Sequence, residues 1–151
     1  MNIFLLRFAS ILLYTIPLKE SLAFGSNFIY NSYYLNQTLY FITFPINLIE
    51  QFFRYGGLGG FSSLIIFILL YAGLVRNPSL PYFLRFNACQ ALLLKIALII
   101  CTYVLQIFQL TQFGFVLFVL VLAIFIFSFI QCLLGSEPEI PFISKSVRMQ
   151  I

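Results

Sequence analysis

The stretch Phe113–Leu134, FGFVLFVLVLAIFIFSFIQCLL, decides the fold class. It holds no charged residue. As an α-helix rising ~1.5 Å per residue it is ~33 Å long, enough to cross a hydrocarbon core of ~30 Å. Val, Leu, Ile and Phe occur all round it, so no face is left for water. A helix of this kind could also sit inside a large soluble core, but the rest of the chain offers none. Of its 151 residues, 62% are hydrophobic and 8% charged, against roughly 25% charged in ordinary globular proteins. Too few charges remain to solvate a globular surface, so lipid must cover much of it.

Working outward, three more apolar segments appear. Ala88–Phe108 matches the first in length but carries Lys95. Phe61–Val75 is shorter and can be extended through Tyr55–Gly60, whose Gly56, Gly57, Gly59 and Gly60 either permit close backbone approach or form a loop. Ile3–Leu18 contains Arg7 and Pro17. It resembles a secretory signal in outline, but the small-residue cleavage site is weak and further spans follow. No Arg- and Ser-rich organellar presequence precedes it; if the protein works in an organelle, it is expected either to be made there or to have a presequence that this sequence lacks.

The expected architecture is therefore all-α and polytopic. Four transmembrane helices run over roughly 3–18, 56–75, 86–108 and 113–134, with a link at 19–55 and a tail at 135–151. The link is rich in tyrosines and amides, including Tyr30, Tyr33, Tyr34, Asn36, Gln37 and Tyr40. Tyrosine prefers the headgroup zone. Leu39–Phe53 accordingly reads as an interfacial helix broken at Pro45, and the rival reading is a re-entrant segment buried among the spans.

The charges set the topology. Net charge is +4, with Arg76, Arg85, Lys145, Arg148 and Arg7 falling on one side of a four-span chain. Lys19 and Arg54 fall on the other. The positive-inside rule places both termini on the cytoplasm-equivalent side. A nucleic-acid binder would instead gather its cations on one solvated face.

Histidine is absent, removing the commonest general base and metal ligand. Cys89, Cys101 and Cys132 lack metal or redox spacing. There is no P-loop, HExxH or GxSxG and no paired intramembrane carboxylate, and Ser62 and Ser63 have no histidine partner. Neither an enzyme nor a cofactor or metal is expected.

The strongest local feature is Val75–Leu94, VRNPSLPYFLRFNACQALLL. Two prolines stop the second span and stiffen a hairpin link flanked by Arg76 and Arg85. Asn87 and Gln90 then share one face of the third span. In lipid these amides must meet another helix or a water-filled cavity. Lys95 lies ~15 Å beyond Arg85, where an ammonium costs at least ~2.5–3.5 kcal/mol. It must snorkel, pair or face water. With no acidic residue inside the expected spans, its ionic partner would be Glu50 or another chain. The tail, LLGSEPEIPFISKSVRMQI, has a helix-stopping Gly135 and alternating prolines and apolar residues, which suit a segment lying on the bundle.

Both motifs resemble the twenty-kilodalton subunit of the translocon at the inner envelope membrane of chloroplasts, a Tic family. The hairpin matches that family at Arg76, Asn77, Pro81, Arg85, Phe86, Asn87, Gln90 and Ala91. The tail matches at Gly135, Pro138, Ile140, Pro141, Ile143, Ser144 and Gln150. The resemblance implies a four-helix protein of the plastid inner envelope with both termini stromal. It also implies help in forming the preprotein path, with other translocon subunits, transiting preproteins and membrane lipids as partners and no nucleic acid. A cyanobacterial-type member would sit in the plasma membrane instead. Asn87, Gln90 and Lys95 would then line a preprotein path or make helix contacts. The family usually has aspartate where this chain has Lys95. Other readings of the same residues are a structural or assembly subunit of another membrane complex and a small-solute transporter. The latter is disfavoured by the lack of inverted repeats.

Overall fold

The computed structural model describes residues 2–58 and 61–151, and its described residues form helices with no strand. Gly59 and Gly60, part of the expected glycine-rich entry to the second span, lie outside them. Helix α1 covers Ile3–Ser21, α2 Ser26–Asn31 and α3 Tyr33–Phe53, which runs on into a π-helical turn at Arg54–Leu58. Helix α4 covers Ser62–Leu70 and continues through a π-helical turn at Tyr71–Val75. Helix α5 covers Tyr82–Ile107, α6 Gly114–Leu134 and α7 Ile143–Arg148.

By length and composition, α5 and α6 can each cross a membrane alone. The pair Tyr33–Gly57 and Ser62–Val75 qualifies only as a unit bent by 120°. Two or three crossings thus stand out by this measure, not the four expected. The reasons are visible in the sequence. Helix α1 carries Arg7, Lys19 and Glu20 within 19 residues, and the helix over 62–75 is ~21 Å long, short of a ~30 Å core.

Helix α1 packs between α5 and α6. At one end the Arg7 guanidinium donates to the Leu133 carbonyl (2.8 Å), and at the other Gly25 sits against the Phe118 ring. So α1 runs antiparallel to α6. Since α5 and α6 form a hairpin through the short link at 108–113, α1 and α5 run parallel. The start of α1 and the end of α6 lie together, and that end is called the near end below. Tyr14, Leu18, Phe86, Leu92 and Cys132 fill the centre and are almost fully buried.

Two glycines set the far-end packing. A Cβ on Gly25 would stand 2.7 Å from Phe118, and one on Gly114 would stand 3.0 Å from Phe24. Each ring thus occupies the space its opposing glycine leaves. Gly25→Ala should cost about 1–3 kcal/mol through overpacking, measurable as a fall in unfolding midpoint in micelles. An unchanged midpoint would show that Phe118 can move aside.

Two expectations about the first half are corrected. Helix α1 extends to Ser21, a turn past the expected boundary at Leu18, because Pro17 is accommodated within the helix and Lys19 and Glu20 find partners inside the bundle. Helix α3 is continuous through Pro45. That proline faces α1 and lines grooves with Leu12, Thr15 and Ile16, and neighbouring helices can support a proline within a helix at membrane depth. Phe41 and Phe44 of α3 line one of these grooves together with Phe125 and Phe129, near the middle of α6.

Candidate functional site

The hairpin motif builds a scaffold. Asn77 Oδ1 accepts from the Ser79 amide (3.1 Å) and hydroxyl (2.6 Å), a local turn that suits Asn before proline. Pro81 takes an extended conformation and caps the start of α5. The Arg76 guanidinium lies over the Tyr71 ring, 5.9 Å from its centroid. Arg85 Nε donates to the Val75 carbonyl (3.0 Å), capping the end of the π-helical turn that follows α4.

Asn87 and Gln90 are fully buried. Asn87 Oδ1 accepts from the Tyr14 hydroxyl of α1 (3.0 Å) and the Cys132 thiol of α6 (3.5 Å). Its Nδ2 donates to the Phe83 carbonyl (2.7 Å). One amide therefore joins three helices. Gln90 Nε2 donates to the Pro138 carbonyl (2.9 Å) and so holds the tail. Its Oε1 is buried without a partner among the described residues. Ala91, also fully buried, leaves room for close packing.

The tail lies on the start of α5. Gly135 takes a left-handed conformation (φ 79°) and ends α6 with paired bonds, from its own amide to Cys132 and from the Ser136 amide to Gln131. Pro138, Ile140 and Val147 are buried. Ser144 Oγ accepts from the Ile140 amide (2.7 Å), and Gln150 Oε1 accepts from the Cys89 thiol (3.5 Å). Ile143 packs at the edge of the core while Pro141 is exposed. Arg148 stands over the Phe86 ring at 6.0 Å and pairs with Glu139 (2.5 Å) and Glu137 (3.7 Å). The Glu139 hydrogen bond and charge push its guanidinium further above its ordinary value.

The most informative polar cluster lies deeper. Lys95 is 13 residues from the start of α5 and 12 from its end, at the middle of that helix. Its side chain is 4% exposed. The expected partner, Glu50 or another chain, is not the one it finds. Nζ is 3.3 Å from Glu20 Oε1 of α1, 2.6 Å from Ser63 Oγ and 3.4 Å from the Ser63 carbonyl of α4. An ammonium has three N–H donors, and three acceptors stand around it. Ser63 Oγ in turn donates to Glu20 Oε1 (3.3 Å). Glu50 of α3 pairs instead with Lys19, the residue beside Glu20. Two cations and two carboxylates thus balance across α1, α3, α4 and α5.

Residue-by-residue reading of the sequence missed Glu20, Ser63 and Tyr14. For Glu20 the signal was its place beside Lys19 in an apolar helix, with Glu50 and Lys95 also in need of partners; Ser63 and Tyr14 gave none. Among the described residues no group of His, Cys, Asp and Glu could hold a metal ion.

The family described as "Chloroplast import apparatus Tic20-like" matches residues 3–147. A "Tic20 family protein" of Synechocystis sp. is 35% identical, over 96% of this chain and 92% of its own length. "Protein TIC 20-II, chloroplastic" of Arabidopsis thaliana is 31% identical over 96% of this chain and 72% of its own, and "Protein TIC 20-v, chloroplastic" is 29% identical over 96% and 70%. With a match that spans hairpin, buried layer and most of the tail alike, this chain belongs to the Tic20 family.

Proposed function

We propose that this chain is a four-crossing membrane subunit of a plastid inner-envelope protein-import apparatus, with both termini stromal. The observation that carries the function is the family match over residues 3–147. The crossing number is supported by geometry. Helices α1 and α5 run parallel, so the chain between them must return across the membrane. The segment over 62–75 makes the near part of that return, from Ser63 at the level of Glu20 and Lys95 to Val75 beside Arg85, and the bent unit it forms with α3 supplies the rest. Helix α1, ~28 Å long, is a span whose charges at one end are paired. Helix α3 reaches the middle of α6, which favours the re-entrant reading of this segment over an interfacial one. Arg7, Arg76, Arg85, Lys145 and Arg148 gather at the near end, which the positive-inside rule assigns to the stroma.

Tyr14, Asn87 and Cys132 fill the centre between α1, α5 and α6, which supports a preprotein passing along this chain's surface and against other subunits. The buried contacts of Asn87, Gln90 and Lys95 support helix-contact roles for all three. The Synechocystis match, nearly full-length on both sides, favours a second location, the plasma membrane of a cyanobacterium, with the same architecture.

Crosslinking tests the function. An arrested preprotein in intact organelles should crosslink to this chain, and native purification should retain envelope translocon subunits. Exclusive co-purification with a photosynthetic or respiratory complex, without preprotein adducts, would replace import with an assembly role.

A further inference from the structure

A groove of about 570 Å³ lies between α1, α3 and α6, walled by Phe8, Leu12, Phe41, Pro45, Phe125 and Phe129. Its lining is almost wholly apolar, and it lies alongside a helix long and apolar enough to span. Both walls lead to the same cation. One turn beyond Ile11 on α1 is Arg7, and one turn beyond Phe129 on α6 is Leu133, whose carbonyl accepts from Arg7 (2.8 Å). The Arg7 guanidinium, packed on Gly135, therefore stands one turn beyond the near-end walls of the apolar slot. Among the described residues it has no carboxylate partner. The near-end carboxylates, Glu137 and Glu139, are both within reach of Arg148.

We infer that this groove binds one acyl chain of an anionic glycerolipid, with the lipid's phosphate held at Arg7. Charge complementarity selects the headgroup. A guanidinium has five N–H donors in a fork that fits phosphate oxygens, and one of them donates to Leu133. The slot then takes the chain in the direction a membrane lipid presents it, headgroup at the near end and hydrocarbon toward the middle of α6. Helix α3 forms the third wall. The inference rests on α1 and α6 spanning the membrane, and it does not depend on the import role.

The chain contains no tryptophan, so a single introduced one reports the groove. Phe129→Trp places a reporter in it, and Phe127→Trp places one on the opposite face of α6 at the same depth. Both are reconstituted without other subunits into phosphatidylcholine vesicles containing a minor fraction of acyl-brominated phosphatidylglycerol or acyl-brominated phosphatidylcholine. At Phe129→Trp, quenching should show about fivefold enrichment of the anionic lipid, the factor for one cation near an anionic headgroup. At Phe127→Trp no preference is expected. Arg7→Gln should erase the preference and Arg7→Lys should keep it. High salt, which shortens the screening length to ~3 Å at 1 M, should weaken it less than Arg7→Gln does, because a contact pair is screened less than separated charges. Equal quenching by the two lipids at Phe129→Trp would overturn the inference, as would a preference that survives Arg7→Gln. A reporter quenched by neither lipid would show protein filling the groove and would overturn it too.

Discussion

Glu20→Gln should destabilise the protein by about 3–5 kcal/mol, the usual cost of leaving one member of a buried ion pair alone, and by more than Lys95→Leu does. The asymmetry follows from exposure. The Lys95 side chain is 4% exposed and the Glu20 side chain 34%. Replacing the carboxylate by an amide leaves the ammonium at the middle of α5 with neutral acceptors only and no counter-charge. Removing the ammonium leaves a carboxylate that is partly open and still accepts from Ser63. It also removes a charge that costs at least ~2.5–3.5 kcal/mol in hydrocarbon. The double variant Glu20→Gln/Lys95→Leu should therefore recover most of the loss from Glu20→Gln. Unfolding midpoints of all four proteins in micelles form the cycle that isolates the pair. If the two single effects add in the double variant, the pair is not an energetic unit.

Asn87→Leu should cost about 2–3 kcal/mol. Leu keeps the number of side-chain heavy atoms, so the main loss comes from the Tyr14 hydroxyl, which is deprived of its Asn87 acceptor at ~1–3 kcal/mol, plus an interhelical hydrogen bond worth ~0.6 kcal/mol in membrane proteins. Tyr14 is 1% exposed and Asn87 0%, so water cannot replace the lost acceptor. Tyr14→Phe/Asn87→Leu should be more stable than Asn87→Leu alone, because removing both partners leaves nothing stranded. Thermal unfolding in one detergent decides it. A double variant less stable than Asn87→Leu would show that Asn87 acts mainly through Phe83 and Cys132.

Helix class and the candidate spans at α5 and α6 were legible because long, predominantly apolar runs have one physical solution in lipid. Lys95 was legible as a residue needing a partner, but the partner was not. Pro17 and the Lys19-Glu20 pair read as the end of a span and the start of a wet link, so Glu20 was counted outside the membrane. Tertiary pairing kept it within α1. Pro45 misled in the same way. A proline predicts a broken helix in water, whereas packing against α1 supports it here. The hairpin and tail motifs marked where contacts converge. Their roles depended on Gln90 finding Pro138 and on Cys89 finding Gln150, pairings 48 and 61 residues apart that local pattern does not encode.

The order Lys19-Glu20 on α1 has a further consequence. Lys19 meets a carboxylate on α3, and Glu20 meets an ammonium on α5. Exchange those neighbours, and Lys19 faces Lys95 while Glu20 faces Glu50, like against like on both sides at once. Apolar packing alone tolerates a helix rotated or shifted by a residue, since Leu, Ile and Phe are interchangeable against lipid. Two adjacent opposite charges are not interchangeable. The dipeptide therefore works as a key with one orientation, telling α1 which flank belongs to the α3–α4 segment and which to the α5–α6 hairpin.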